Sequence, residues 1–122
     1  MKIFALIMIL ASFAHAAPAV DCYQAATRSP YSGGSGLSTA DAARLCRGAQ
    51  SNSPVDCHQA ATRSPYSGGP GLNAAQAVSL CTGNGDTERA NCYADAVKSP
   101  YSGGPGMNAA EAILLCGPAS CN

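Results

Sequence analysis

The chain has no tryptophan, and both of its phenylalanines, Phe4 and Phe13, lie in the first sixteen residues. Beyond that segment the only aromatics are five tyrosines, and the apolar content is mostly alanine with a few Leu, Val, Ile and Met. Side chains this small build a poor core, so a domain of this size needs covalent staples. Charge is also scarce: seven Lys and Arg balance seven Asp and Glu, and none of them cluster. That composition argues against nucleic acid and anionic membrane surfaces as partners, since both ask for grouped cations. The Cys-x2-Cys spacing of zinc sites and redox dithiols is missing, as is a Gly-x-Ser-x-Gly elbow. Histidine is nearly absent too. After His15 there is only His58, which reads as a solvated polar helix residue with no acid–base or metal role. The expectation is a protein without catalytic activity, metal or cofactor.

What is present begins with an export signal. Lys2 precedes an apolar run from Ile3 to Ala14, broken only by Ser12, and Ala14-His15-Ala16 then offers an Ala-x-Ala cleavage site. The run is well short of the about 20 apolar residues that a membrane span requires. Residues 1–16 therefore read as a signal peptide, and the mature chain is expected to be secreted or periplasmic. Seven cysteines suit such an oxidising compartment.

The rest is one unit, three times over. Ser29-Pro30-Tyr31-Ser32-Gly33-Gly34 returns at 64–69 and again at 99–104, a spacing of 35 residues both times. A fixed period of this length marks stacked supersecondary units. The boundaries read as 17–49, 50–84 and 85–122.

Each unit reads as two short helices. Ser38, Asn73 and Asn108 are good N-cap residues, and Asp41, Gln76 and Glu111 stand three positions on, where a capping box places its partner. Leu37, Leu72 and Met107 precede the caps and are placed to staple against Ala42, Ala77 and Ala112. Gly48, Gly83 and Gly117 follow the helix in positions suited to a left-handed cap. The earlier helix of the second unit is expected to start with Ser53 as cap and Pro54 in the first turn. Pro18 fills the matching place in the first unit, and Asp86 allows an earlier start in the third. That helix must stop before Pro30, Pro65 and Pro100, because a residue preceding proline is pushed out of the helical region. The fold class is all-α, three tandem helical hairpins.

In an antiparallel hairpin the start of the first helix lies beside the end of the second. That pairs Cys22 with Cys46, Cys57 with Cys81 and Cys92 with Cys116, one of the 15 pairings six cysteines allow. The rival scheme joins Cys46 to Cys57, Cys81 to Cys92 and Cys116 to Cys121, but it leaves each hairpin unstapled.

Two readings of the loop compete. Proline and the glycines, including Gly36, Gly71 and Gly106, meet the demands of a tight turn, with the Tyr ring laid across the Ala-rich hairpin as its largest buried group. Alternatively, Tyr31, Tyr66 and Tyr101 with Ser32, Ser67 and Ser102 form a repeated binding surface for a protein or a glycan, with Arg28, Arg63 and Lys98 as a basic edge. A phosphate cradle is disfavoured, since no Lys follows the glycines and no strand precedes them. Functionally the chain reads as a non-catalytic binding module. The alternatives are a structural, envelope-associated repeat protein and a small secreted inhibitor or effector.

Cys121 is left over, in a Gly-Pro-Ala-Ser tail. An odd cysteine in an exported chain predicts a disulfide-linked homodimer or a free thiol. Non-reducing electrophoresis distinguishes them: the homodimer requires a doubled band that Cys121→Ser loses.

Overall fold

The computed structural model describes residues 17–118. The expected signal peptide and Cys121 lie outside them. Among the described residues there are six α-helices: α1 Pro18–Thr27, α2 Thr39–Cys46, α3 Ser53–Thr62, α4 Ala74–Cys81, α5 Thr87–Val97 and α6 Ala109–Cys116. They form three hairpins, α1 with α2, α3 with α4 and α5 with α6. The fold is all-helical, as the sequence implied.

Local sequence explains the helix limits. Ser38, Asn73 and Asn108 each accept a bond from the backbone N–H three residues on. Only Asn73 and Gln76 complete a reciprocal capping box, with the Gln76 side chain accepting from the Asn73 N–H. Glu111 turns instead to the Asn108 side-chain amide. Two expected caps differ. Ser53 is already helical, and its N–H is taken by the Ser51 hydroxyl while Asn52 stands at the N-cap position. Gly117 is extended rather than left-handed, whereas Gly48 and Gly83 do take positive φ. Asp86 caps α5 by accepting from Glu88, which gives that helix an extra residue.

In each hairpin a disulfide joins the last residue of the second helix to the middle of the first. Cys22–Cys46, Cys57–Cys81 and Cys92–Cys116 are joined, with Cα separations of 5.6, 5.6 and 5.7 Å. The rival pairing is therefore excluded. Each bridge is worth about 3–4 kcal/mol on a chain-entropy view, a large share of a small domain's stability. Three intramolecular disulfides point to an oxidising compartment outside the cytoplasm. Among the described residues no helix is long and apolar enough to cross a membrane.

The closed end is held by backbone. The N–H groups of Leu37, Leu72 and Met107 donate to the carbonyls of Ala26, Ala61 and Ala96, all at 3.0 Å, tying the start of the second helix to the end of the first. Leu72 is buried, Leu37 and Met107 pack partly against the core, and the alanines they were expected to meet, Ala42, Ala77 and Ala112, are wholly buried.

The hairpins stack into one body. α3 packs on α1 and α5, and α4 packs on α2 and α6, so the odd helices form one layer and the even helices another. The even helices run parallel. Thr82, just past α4, donates its hydroxyl to the Arg44 carbonyl in α2. One junction later, a Cβ built on Gly117, the Thr82 counterpart, would sit 3.5 Å from the Ser79 carbonyl. The inter-hairpin linkers also meet, Gln50 N–H donating to Asn84 Oδ1 at 2.9 Å. With all linkers at one end, the three long loops emerge together at the other.

Within the first loop, Ser35 carries a buried hydroxyl that has no hydrogen-bond partner. Pro70 and Pro105 occupy this place in the other two hairpins. Ser35→Pro should therefore stabilise the protein by about 0.5–1 kcal/mol, read as a shift in the denaturant midpoint, since it removes the orphan group and restricts the unfolded chain.

Candidate functional site

The three loops share one conformation. Pro30–Ser32, Pro65–Ser67 and Pro100–Ser102 each form a single 3-10 turn. The hydroxyls of Ser29, Ser64 and Ser99 accept from the N–H of the following tyrosine. Gly33, Gly68 and Gly103 end the turn at φ near 80°, a left-handed conformation that favours glycine. The chain then doubles back, Gly36, Gly71 and Gly106 donating to the carbonyls of Arg28, Arg63 and Lys98 at 2.8–2.9 Å. A Cβ on Gly34 would collide with the Arg28 backbone, and one on Gly36 would sit 2.8 Å from the Pro30 ring.

Backbone geometry thus accounts for the first serine, the proline and the glycines. It does not account for the tyrosine. The rings of Tyr31, Tyr66 and Tyr101 are 102, 102 and 103 % exposed, so the expected burial of the ring against the hairpin is wrong. They project from a 3-10 turn that the returning glycines brace from below. Ser32, Ser67 and Ser102 are exposed beside them, and so are Arg28, Arg63 and Lys98, each directly following a helix. A cation there also suits the negative end of the helix dipole.

Hairpin stacking brings these groups onto one end of the molecule. Packed helices lie about 8–10 Å apart, so the helix ends that carry successive loops are close neighbours along the stack. Each tyrosine is an amphipathic ring held on a rigid turn, able to stack on an apolar face while its hydroxyl and the adjacent serine hydroxyl form hydrogen bonds. Among the described residues no group of three or more His, Cys, Asp or Glu is placed to hold a metal ion.

His58 departs from expectation. It is only 4 % exposed, and neither ring nitrogen has a hydrogen-bond partner. Its counterparts Tyr23 and Tyr93 are half-buried and buried, and Tyr93 has its hydroxyl pKa pushed up by that burial. The position faces the core, and aromatic residues at its two equivalents were the available sign of it. Burial pushes the imidazole below its usual pKa, opposed by the Ala74 backbone and the Asp41 carboxylate. No protein-family model matches the chain, and no curated protein or solved structure is significantly similar to it.

A buried base whose pKa is depressed by folding favours the native state only while it is neutral. His58 thus contributes fully above the unfolded imidazole value of about 6.5 and loses that contribution as pH falls through its lower folded value. His58→Tyr, which copies the neighbouring hairpins, should flatten the decline between pH 7.5 and 5, measured by urea unfolding of both proteins at each pH. Equal slopes would show that the ring is hydrated in solution.

Proposed function

We propose that this is a secreted or periplasmic, non-catalytic binding module whose three Ser-Pro-Tyr-Ser-Gly-Gly loops engage one repetitive partner surface. The observation that carries the proposal is the full exposure of three identical tyrosines in loops whose backbone has no need of them. An exposed ring on water gains nothing for folding, so the threefold recurrence of that residue calls for a role outside the fold.

The chemistry favours an extended polysaccharide. Tyrosine rings stack on the CH faces of sugars, and the serine and tyrosine hydroxyls serve the sugar hydroxyls. Arg28, Arg63 and Lys98 add one cation per loop and suit a glycan that carries acidic groups. Each contact is weak alone, and three on one rigid body gain by avidity. The N-terminal export signal and the disulfides accord with a ligand outside the cell.

Retention on insoluble polysaccharides, neutral and acidic, tests this directly. Combined Tyr31→Ala, Tyr66→Ala and Tyr101→Ala should leave unfolding within about 0.5 kcal/mol of wild type, because the rings bury nothing. The same triple change should lower retention by about 100-fold or more, and single changes by about tenfold. Wild-type protein retained by no glycan would remove the polysaccharide, and a triple variant that unfolds would return the ring to a structural role.

A further inference from the structure

Equivalent positions in the three hairpins differ sharply in burial, and the differences fall at the two ends of the stack. Leu45 and Leu80 are fully buried, yet Leu115 at the same place in α6 is 65 % exposed. Val55 and Ala90 are buried, yet Val20 at the same place in α1 is 46 % exposed. Each hairpin contributes the same internal packing, so the difference comes from the neighbour. Leu45 and Leu80 lie where a following hairpin covers them, and Val55 and Ala90 lie where a preceding one does. The second junction shows the arrangement in detail: the Arg89 guanidinium, from the start of α5, donates to the carbonyls of Leu80 and Thr82.

The rear end carries a further feature. A cleft of 640 Å³ lies beside Leu115, flanked by Glu88 and Asp95 of α5 and by Lys98 just after it. On the equivalent side of α1, the cleft bordered by Asp21 and Arg28 is smaller, about 470 Å³, and Gln50, Ser51 and Asn52 at the start of the next hairpin form one of its walls. Stacked-repeat proteins ordinarily cover such ends with polar capping units. Here the rear of the third hairpin and the front of the first expose complementary halves of the junction that already occurs twice within the chain.

We propose that a second copy of this chain seats its first hairpin, through Val20 of α1 and the adjoining face of α2, on the rear of the third hairpin of the first, where Leu115 of α6 is exposed beside α5. The contact is head-to-tail and continues the internal stacking, so it does not close into a dimer and grows into a linear oligomer. The parallel arrangement of hairpins carries across the junction, and the row of loop tyrosines lengthens with each added copy.

The test uses the full mature chain carrying Cys121→Ser, so that no tail disulfide contributes, with sedimentation velocity from micromolar to millimolar concentration. The expected result is a progressive series of species beyond the dimer. Val20→Glu and Leu115→Glu should each remain monomeric, and an equimolar mixture should form dimers and stop there, since each variant keeps the half that the other lacks. Both positions are exposed, and far-UV circular dichroism checks that each variant is folded. As a readout needing no substitution, hydrogen exchange of the Cys121→Ser protein at high against low concentration should show added protection confined to the first and third hairpins, in α1 and α2 of one copy and α5 and α6 of its neighbour. Dimers formed by Val20→Glu alone would show a symmetric rear-to-rear contact and overturn the proposal. A monomer at every concentration would overturn it too.

Discussion

Each hairpin depends on being closed at both ends by something other than its core. Alanine supplies most of the buried contacts between the two helices, and a methyl group buries too little area to hold helices of eight to eleven residues together. The disulfide at one end and the backbone bond from Leu37, Leu72 or Met107 at the other fix the helix pair at a separation that only small side chains fill. The alanine richness that weakens the core is also what lets the helices approach. Cystine and alanine are thus two parts of one solution.

Once each pair is fixed, stacking supplies the larger apolar side chains. Leu45, Leu80, Val55 and Pro54 are buried at or near the junctions, and polar contacts such as Arg89 with the Leu80 carbonyl fasten the same surfaces. His58 belongs to this layer, which is why a residue with two polar nitrogens lies buried without a partner. It faces the preceding hairpin, with the Asp41 carboxylate of α2 near enough to favour its proton. The repeat is therefore more than a string of stapled beads, since much of its apolar burial lies between units.

The loops separate what folding requires from what it leaves free. Serine as a cap, proline at the start of the turn, and glycine at left-handed or crowded positions are all dictated by geometry. The tyrosine and the second serine stand outside that requirement, on a turn rigid enough to hold them in water at no evident benefit to the fold. A rigid scaffold presenting a few exposed amphipathic groups is the usual form of a binding surface. Stacking then turns three separate loops into one row.

Much of this was legible in the residues themselves. The period of 35, the helix caps at Ser38, Asn73 and Asn108, the breaks before each proline and the pairing of six cysteines follow from short-range chemistry and repetition, and all appear in the structure. Even there, Gly117 is not left-handed like Gly48 and Gly83, because it stands one place earlier, at the C-cap position that Arg47 and Thr82 fill with negative φ, and Pro118 occupies the place of those glycines. Burial was not legible. The direction of the tyrosine rings, the enclosure of His58 and the contrast of Leu80 with Leu115 or Val55 with Val20 depend on what packs against each residue from another hairpin. The same side chain in the same local sequence is buried in one unit and exposed in the next. Local sequence determined each hairpin, and only the tertiary stack decided which of its faces meet protein and which meet water.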